Sequence, residues 1–340
     1  MLVRSDDLVV DLAGRDAQLR PVLQDLRVGR WGSLQSLLDA TGQDWWLWTS
    51  RSQIVPLGQG APGAVKAWLD TEPSDPGACV MWCRVLTHQA VRVWQDGKGE
   101  LVQQVREAAR RACFTAAYAS PSSPVPWLSL LDLAKVSSTF EDLDPYQQLR
   151  NTWAYNPPDR TFQLDPAPWM LWHHVRYLDP SNREVNQRMR EYIEASWRSG
   201  ATDFTRWAAS RATAGSADFV LPLYAFVSDY QRQVHAGRRT ATLYWSTEQI
   251  KHHARQARDM WFWATPARER SRLSLLDLNH LAFMLAASGE GGADAVFDEI
   301  GPHATPAPWA QVAAVLGRHS WQAEFLRARR GCRPRSHRRS

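Results

Sequence analysis

Two adjacent histidine pairs are where this sequence could do chemistry. His252 and His253 lie in the run Glu248-Gln249-Ile250-Lys251-His252-His253-Ala254-Arg255-Gln256-Ala257-Arg258-Asp259. On a helix Glu248, His252, Arg255 and Asp259 share one face, which stacks an acid, a titratable base and a cation in a column. Such a column can orient an imidazole for proton transfer, with Asp259 as the orienting carboxylate and His252 as the catalytic group, or supply two metal ligands. The same column is also what a salt-bridged, solvent-facing helix looks like. His173 and His174 form the second pair, directly after Trp172.

Other chemical signatures are missing from the sequence. It contains no Gly-x-x-x-x-Gly-Lys phosphate loop, no Gly-x-Gly-x-x-Gly, no Gly-x-Ser-x-Gly and no His-Glu-x-x-His. The four cysteines (Cys79, Cys83, Cys113, Cys332) have no Cys-x-x-Cys spacing and read as small apolar core residues. Neither a cofactor nor a metal is expected.

The net charge of +5 suggests an anionic partner until its location is considered. Seven arginines and no acid fall between Arg327 and Ser340; the rest of the chain has 33 basic against 35 acidic residues. The basicity therefore belongs to a solvated tail, expected to be flexible over 327–340, and nucleic-acid contact is not expected apart from that tail. Arginine outnumbers lysine 36 to 4, which reads as GC-rich bacterial codon usage. No apolar run is long enough to span a membrane, and Met1-Leu2-Val3-Arg4 begins no signal peptide, so a reduced, cytoplasmic protein without a membrane partner is expected. Trp45, Trp46 and Trp48 could anchor at a membrane surface but lack a flanking basic face, and burial is the simpler expectation.

The elements that must position these groups are helical. Nearly every segment between turn signals has helical apolar periodicity, and none alternates like a strand. Helices are expected around Leu34–Leu38, Trp45–Trp48, Val65–Leu69 and Leu101–Ala119, with Ser74-Asp75-Pro76 capping another long one. Further helices are expected over Tyr146–Tyr155, Trp169–Leu178, Glu184–Trp197, Phe219–Val234, Ser246–Trp263, Leu273–Ala287, Ala293–Ile300 and Trp309–Arg330, the last as a pair. Short loops join them, as in antiparallel hairpins in series, so one body over 1–326 is expected, with a soft boundary near 200. The motif Pro-x-Pro-Trp recurs at Trp127, Trp169 and Trp309, spaced by 42 and 140 residues, and a recurrence of about 40 residues suits stacked helical hairpins.

Parts of the chain resemble the tetratricopeptide-repeat superfamily. Ala109, Cys113, Ala116 and Pro121, and likewise Ala61, Val65, Trp68 and Pro73, match the spacing of that family's second helix. Trp309, Val312 and Ala313 match its first helix, and Trp127, Leu130 and Leu131 do so in part. Ala282, Gly289 and Pro306 sit at the family's intervals, while Ala293 and Phe297 stand one residue out of step. The resemblance implies an all-α superhelix of stacked antiparallel hairpins whose concave groove binds a partner. Aligned on the opening tryptophans, the groove would present Asp132, Lys135, His174 and Tyr177; a looser alignment adds Tyr224 and Asn279.

The leading expectation is thus a binding scaffold for a peptide, a protein or a small polar ligand. The alternative is a helical enzyme of bacterial specialised metabolism. Its chemistry would rest on His174, His252 or His280 beside a carboxylate such as Asp259 or Asp277. A third reading is a regulatory sensor whose arginine tail touches nucleic acid.

Overall fold

The computed structural model describes residues 8–136, 143, 167–197, 200–237 and 241–332. The described residues form an all-α protein. Their sole β-type pairing is an isolated bridge between Val9 and His303. The expected helix over Tyr146–Tyr155 and the tail from Arg333 to Ser340 lie outside the described residues. No described helix is long and apolar enough to cross a membrane. The chain divides into two compact units, Asp16–Ala201 and Met1–Arg15 with Thr202–Ser340.

The first unit contains α1 (Leu19–Arg27), α2 (Gly32–Thr41), α3 (Trp45–Ile54), α4 (Ala61–Thr71), α5 (Pro76–Gln95), α6 (Gly99–Ala119), α7 (Val125–Ala134), α8 (Trp169–Leu178) and α9 (Arg183–Trp197). The start of α5 follows from its sequence. Asp75 accepts a hydrogen bond from the Ala78 N–H at 2.8 Å, and Pro76 occupies the first turn, where its missing N–H is not needed. The long α5 and α6 pack as a hairpin with α7 against both. Small residues permit this approach: Ala78, Cys83, Ala90, Ala109, Cys113 and Ala116 are all buried. Close approach also explains Gly60 at the start of α4. Its φ is +79°, and a Cβ there would sit 2.6 Å from the carbonyl oxygen of Leu26.

The second unit contains α10 (Ala201–Ser210), α11 (Leu221–His235), α12 (Ala241–Trp245), α13 (Glu248–Ala257), α14 (Leu275–Ser288), α15 (Ala293–Ile300), α16 (Trp309–Val315) and α17 (Trp321–Gly331). Its core is a chain of edge-to-face rings, Trp245–Phe283–Trp309–Phe325–Phe297, with centroids 5.1 to 5.3 Å apart. Such pairs add roughly 0.5–1.5 kcal/mol each beyond their buried area. The first residues of the chain belong to this unit. The Val9 N–H donates to Pro302 O at 2.9 Å, and Arg15 pairs with Glu299 at 3.0 Å.

All three Pro-x-Pro-Trp motifs open helices, with Pro124, Pro168 and Pro308 as the residues just before α7, α8 and α16. Trp127 and Trp309 are buried and Trp169 is half-buried. One expected helix is interrupted: Ser246–Trp263 is α13 followed by a π turn over Arg258–Phe262.

Candidate functional site

The α7 residues Asp132 and Lys135 face α9 and join a buried ionic network. Lys135 Nζ lies 2.5 Å from Asp132 and 2.9 Å from Glu191. Arg188 reaches Glu184 at 2.7 Å and both Asp132 and Glu191 at 3.1 Å. From α5, Arg84 grips Glu184 with two parallel bonds of 2.9 and 2.6 Å. Burial alone would raise the Glu184 pKa, but Arg84 and Arg188 outweigh it and hold the carboxyl at about 2. Burial opposes the charge of Lys135 too, and Asp132 and Glu191 overcome it, so its pKa is raised. Against its burial, Lys135, Arg188 and Arg190 keep Glu191 well below the usual carboxylate range. These three groups are therefore fixed in their charged forms near neutral pH. Proton transfer needs a pKa near the working pH, and they are tuned away from it.

His174 on α8 is buried edge-on against Trp127, with ring centroids 4.4 Å apart, and burial lowers its pKa to about 4. Its neighbour His173 is lowered to about 4 by burial and by Arg176. Tyr177, one turn on, is 65% exposed. Of the four expected groove residues in this unit, Tyr177 alone is a surface side chain; Asp132, Lys135 and His174 are packed within it.

In the second unit Tyr224 and Asn279 are also buried. The Tyr224 hydroxyl donates to Asp277 at 2.5 Å, and its ring stacks on His280 with centroids 3.6 Å apart. Asn279 accepts a hydrogen bond from the Trp309 indole N–H at 3.0 Å and donates to Leu275 O at 2.8 Å. The His252 column is divided between two ion pairs, Glu248 with Arg255 and Asp259 with Arg258 at 2.7 Å. Asp259 lies in the π turn, whose longer repeat shifts it off the α-helical register that would place it under His252. Beside His252, His253 is buried, and burial followed by the nearby His252 lowers its pKa to about 4. Among the described residues no group of three or more His, Cys, Asp or Glu side chains could hold a metal ion.

The feature that the sequence reading missed is a cleft of about 550 Å³ in the second unit. Trp245, Phe283, Trp309, Val312 and Leu316 give it an apolar floor. One side is the turn from the end of α14 into α15, ending at Asp294; the other is α17, with Arg318 just before it. Arg318 and Arg327 share the carboxylate of Glu324. Asn279 belongs to this site at one remove, because it fixes the indole of Trp309. Two local sequence features lie at this site, though neither by itself marks a cleft: the third Pro-x-Pro-Trp motif, which supplies Trp309, and Gly289-Glu290-Gly291-Gly292, which turns the chain along the rim.

No protein-family model, curated protein or solved structure matches this chain.

Proposed function

We propose that this protein is a binding protein, and that the aromatic-floored cleft of the second unit holds a peptide segment by its apolar side chains. The carrying observation is the combination of volume and lining. A cavity of about 550 Å³ falls within the range of ligand sites, and its floor is built on two tryptophans and a phenylalanine that are themselves largely buried, with charged residues around the rim. An apolar floor with few polar groups selects side chains by burial, and the charged rim sets their orientation. The α5–α6 hairpin with its small-residue seam supports the related reading of a tetratricopeptide-like stack within the first unit.

The enzyme reading draws less support. Proton transfer by His174 would need an imidazole that titrates near neutral pH, and burial holds it near 4.

The test is calorimetric titration of the full chain with a panel of short apolar peptides and aromatic fragments. The comparison is the variant Ala328→Trp, which places an indole from the wall of α17 into the cleft. Hits should lose at least tenfold in affinity for the variant while its thermal transition stays within a few degrees of the parent. Equal affinity for the two proteins, or no hit at all, would overturn the proposal.

A further inference from the structure

The cleft has a polarity along α17. On the amino-terminal side of that helix, Glu324 pairs with Arg318 and, at 2.9 Å, with Arg327 near the helix centre, so two guanidinium groups share one acid. This end carries an excess of one positive charge. At the other end lie Cys332 and, across from it, Asp294, close enough to contribute with burial to raising the thiol pKa. The Asp294 carboxylate forms no ion pair among the described residues. The second acid on that side, Glu290, is already bound to Arg255 at 3.1 Å.

The dipole of α17 runs in the same sense as these side chains. Its amino-terminal end, beside Arg318, is equivalent to about +0.5 charge and its carboxyl end, beside Cys332, to about −0.5. The first turn of α15 brings a partial positive charge to Asp294, but about half a unit does not cancel a full carboxylate. From Glu324 to Cys332 the helix advances eight residues, or about 12 Å at 1.5 Å each. An extended chain covers roughly 3.3–3.6 Å per residue, so this span corresponds to three or four residues. Between the two ends the surface is apolar, formed by Ala328, Ala313 and the Trp309 floor.

We propose that the cleft takes a peptide of three or four residues with both termini free. Its ammonium group lies at Asp294, its carboxylate at Arg318 and Arg327, and its apolar side chains on Trp309 and Phe283. This rests on the reading of the cleft as a peptide site and adds the chemistry of the two ends.

The experiment uses Leu-Phe-Leu in four forms: free, N-acetylated, C-amidated and doubly blocked. Each is titrated calorimetrically into the full chain and into three variants, Asp294→Asn, Arg318→Gln with Arg327→Gln, and Ala328→Trp. Arg318 and Arg327 are each more than a third exposed, so each terminus should contribute roughly twofold to fivefold in affinity. Asp294→Asn should weaken the free peptide by that factor and leave the acetylated form unchanged. The arginine double variant should weaken the free peptide and leave the amidated form unchanged. Lengthening to six residues should also weaken binding. If the four forms bind within about 1.5-fold of one another yet Ala328→Trp abolishes them all, the polarity is wrong and the cleft reading stands. If none binds while other fragments do so in a manner blocked by Ala328→Trp, the peptide assignment is overturned and the cleft remains a binding site. Binding of Leu-Phe-Leu that ignores Ala328→Trp overturns both.

Discussion

Replacing Glu184 with glutamine should remove most of the stability that the ionic network gives to the first unit, in a pH-dependent way. Glu184 is fully buried and serves two arginines: Arg84 through a double hydrogen bond and Arg188 at 2.7 Å. Its pKa falls from an ordinary 4.5 to about 2 on folding. At about 1.4 kcal/mol per unit, that shift corresponds to about 3 kcal/mol at neutral pH. Removing one partner of a buried ion pair typically costs about 3–5 kcal/mol, which is the same range. The sign follows from the depressed pKa. The contribution is fully present above about pH 4.5, where the unfolded carboxyl is also ionised, and is lost as pH falls towards 2. At pH 3 the parent should retain only about 1–1.5 kcal/mol of its advantage over Glu184→Gln. Arg84→Gln should cost less, about 2 kcal/mol, because Glu184 keeps Arg188. The apolar pair Arg84→Met with Glu184→Leu should cost less than Glu184→Gln alone. Urea unfolding of the full chain gives the free energies, and hydrogen exchange in α5, α7 and α9 localises them to this unit. A loss below about 1 kcal/mol at pH 7, or the same loss at pH 7 and pH 3, would refute the assignment of the network as the source of stability.

Three further substitutions test other parts of the structure. Asn279→Leu leaves the buried Trp309 indole N–H without its acceptor and should cost about 1–3 kcal/mol in urea unfolding, with weaker ligand binding in the cleft. Gly60→Ala should lower stability by about 2 kcal/mol or more, because φ is +79° and the new methyl meets the Leu26 carbonyl. Gly63→Ala, in open space on the same helix, should be neutral or raise stability by up to about 1 kcal/mol. His174 is neutral in the folded unit down to about pH 4, so its unfolded form binds the extra proton first. Stability should therefore fall as pH drops from about 6.5 to 4, and His174→Phe should flatten that slope; an unchanged slope would contradict the burial of this ring.

Local signals in the sequence predicted local structure well. The proline before each tryptophan marks the start of α7, α8 and α16, because a missing N–H and a fixed φ suit a first helical turn. Asp75-Pro76 and Ser274 likewise mark the starts of α5 and α14. What could not be read was which face of each helix would meet another. Asp132 and Lys135 have the spacing of surface residues, and they become buried because Arg188 and Glu191, more than fifty residues away, supply the opposite charges. Asn279 looks like a groove residue until Trp309, thirty residues on, brings its N–H to the amide oxygen. The cleft was unreadable for the same reason. Its floor combines residues from α12, α14 and α16, and no window of sequence contains them together.

The placement of charge also argues about function. In the first unit, charged groups pair so completely that Glu184, Lys135 and Glu191 are all held in their charged forms near neutral pH, which stabilises packing and disfavours proton exchange. At the cleft the pairing is unequal: two arginines share one glutamate, and Asp294 is left without a counter-charge among the described residues. Unequal pairing around an apolar floor leaves net charge for a ligand to complete, whereas a network balanced internally has none to offer. On the proposed reading, that contrast accords with ligand recognition in the second unit and with a cohesive role for the ionic residues of the first. Substitutions in the network should therefore change stability far more than affinity, and substitutions at Asp294 or Arg318 should do the reverse.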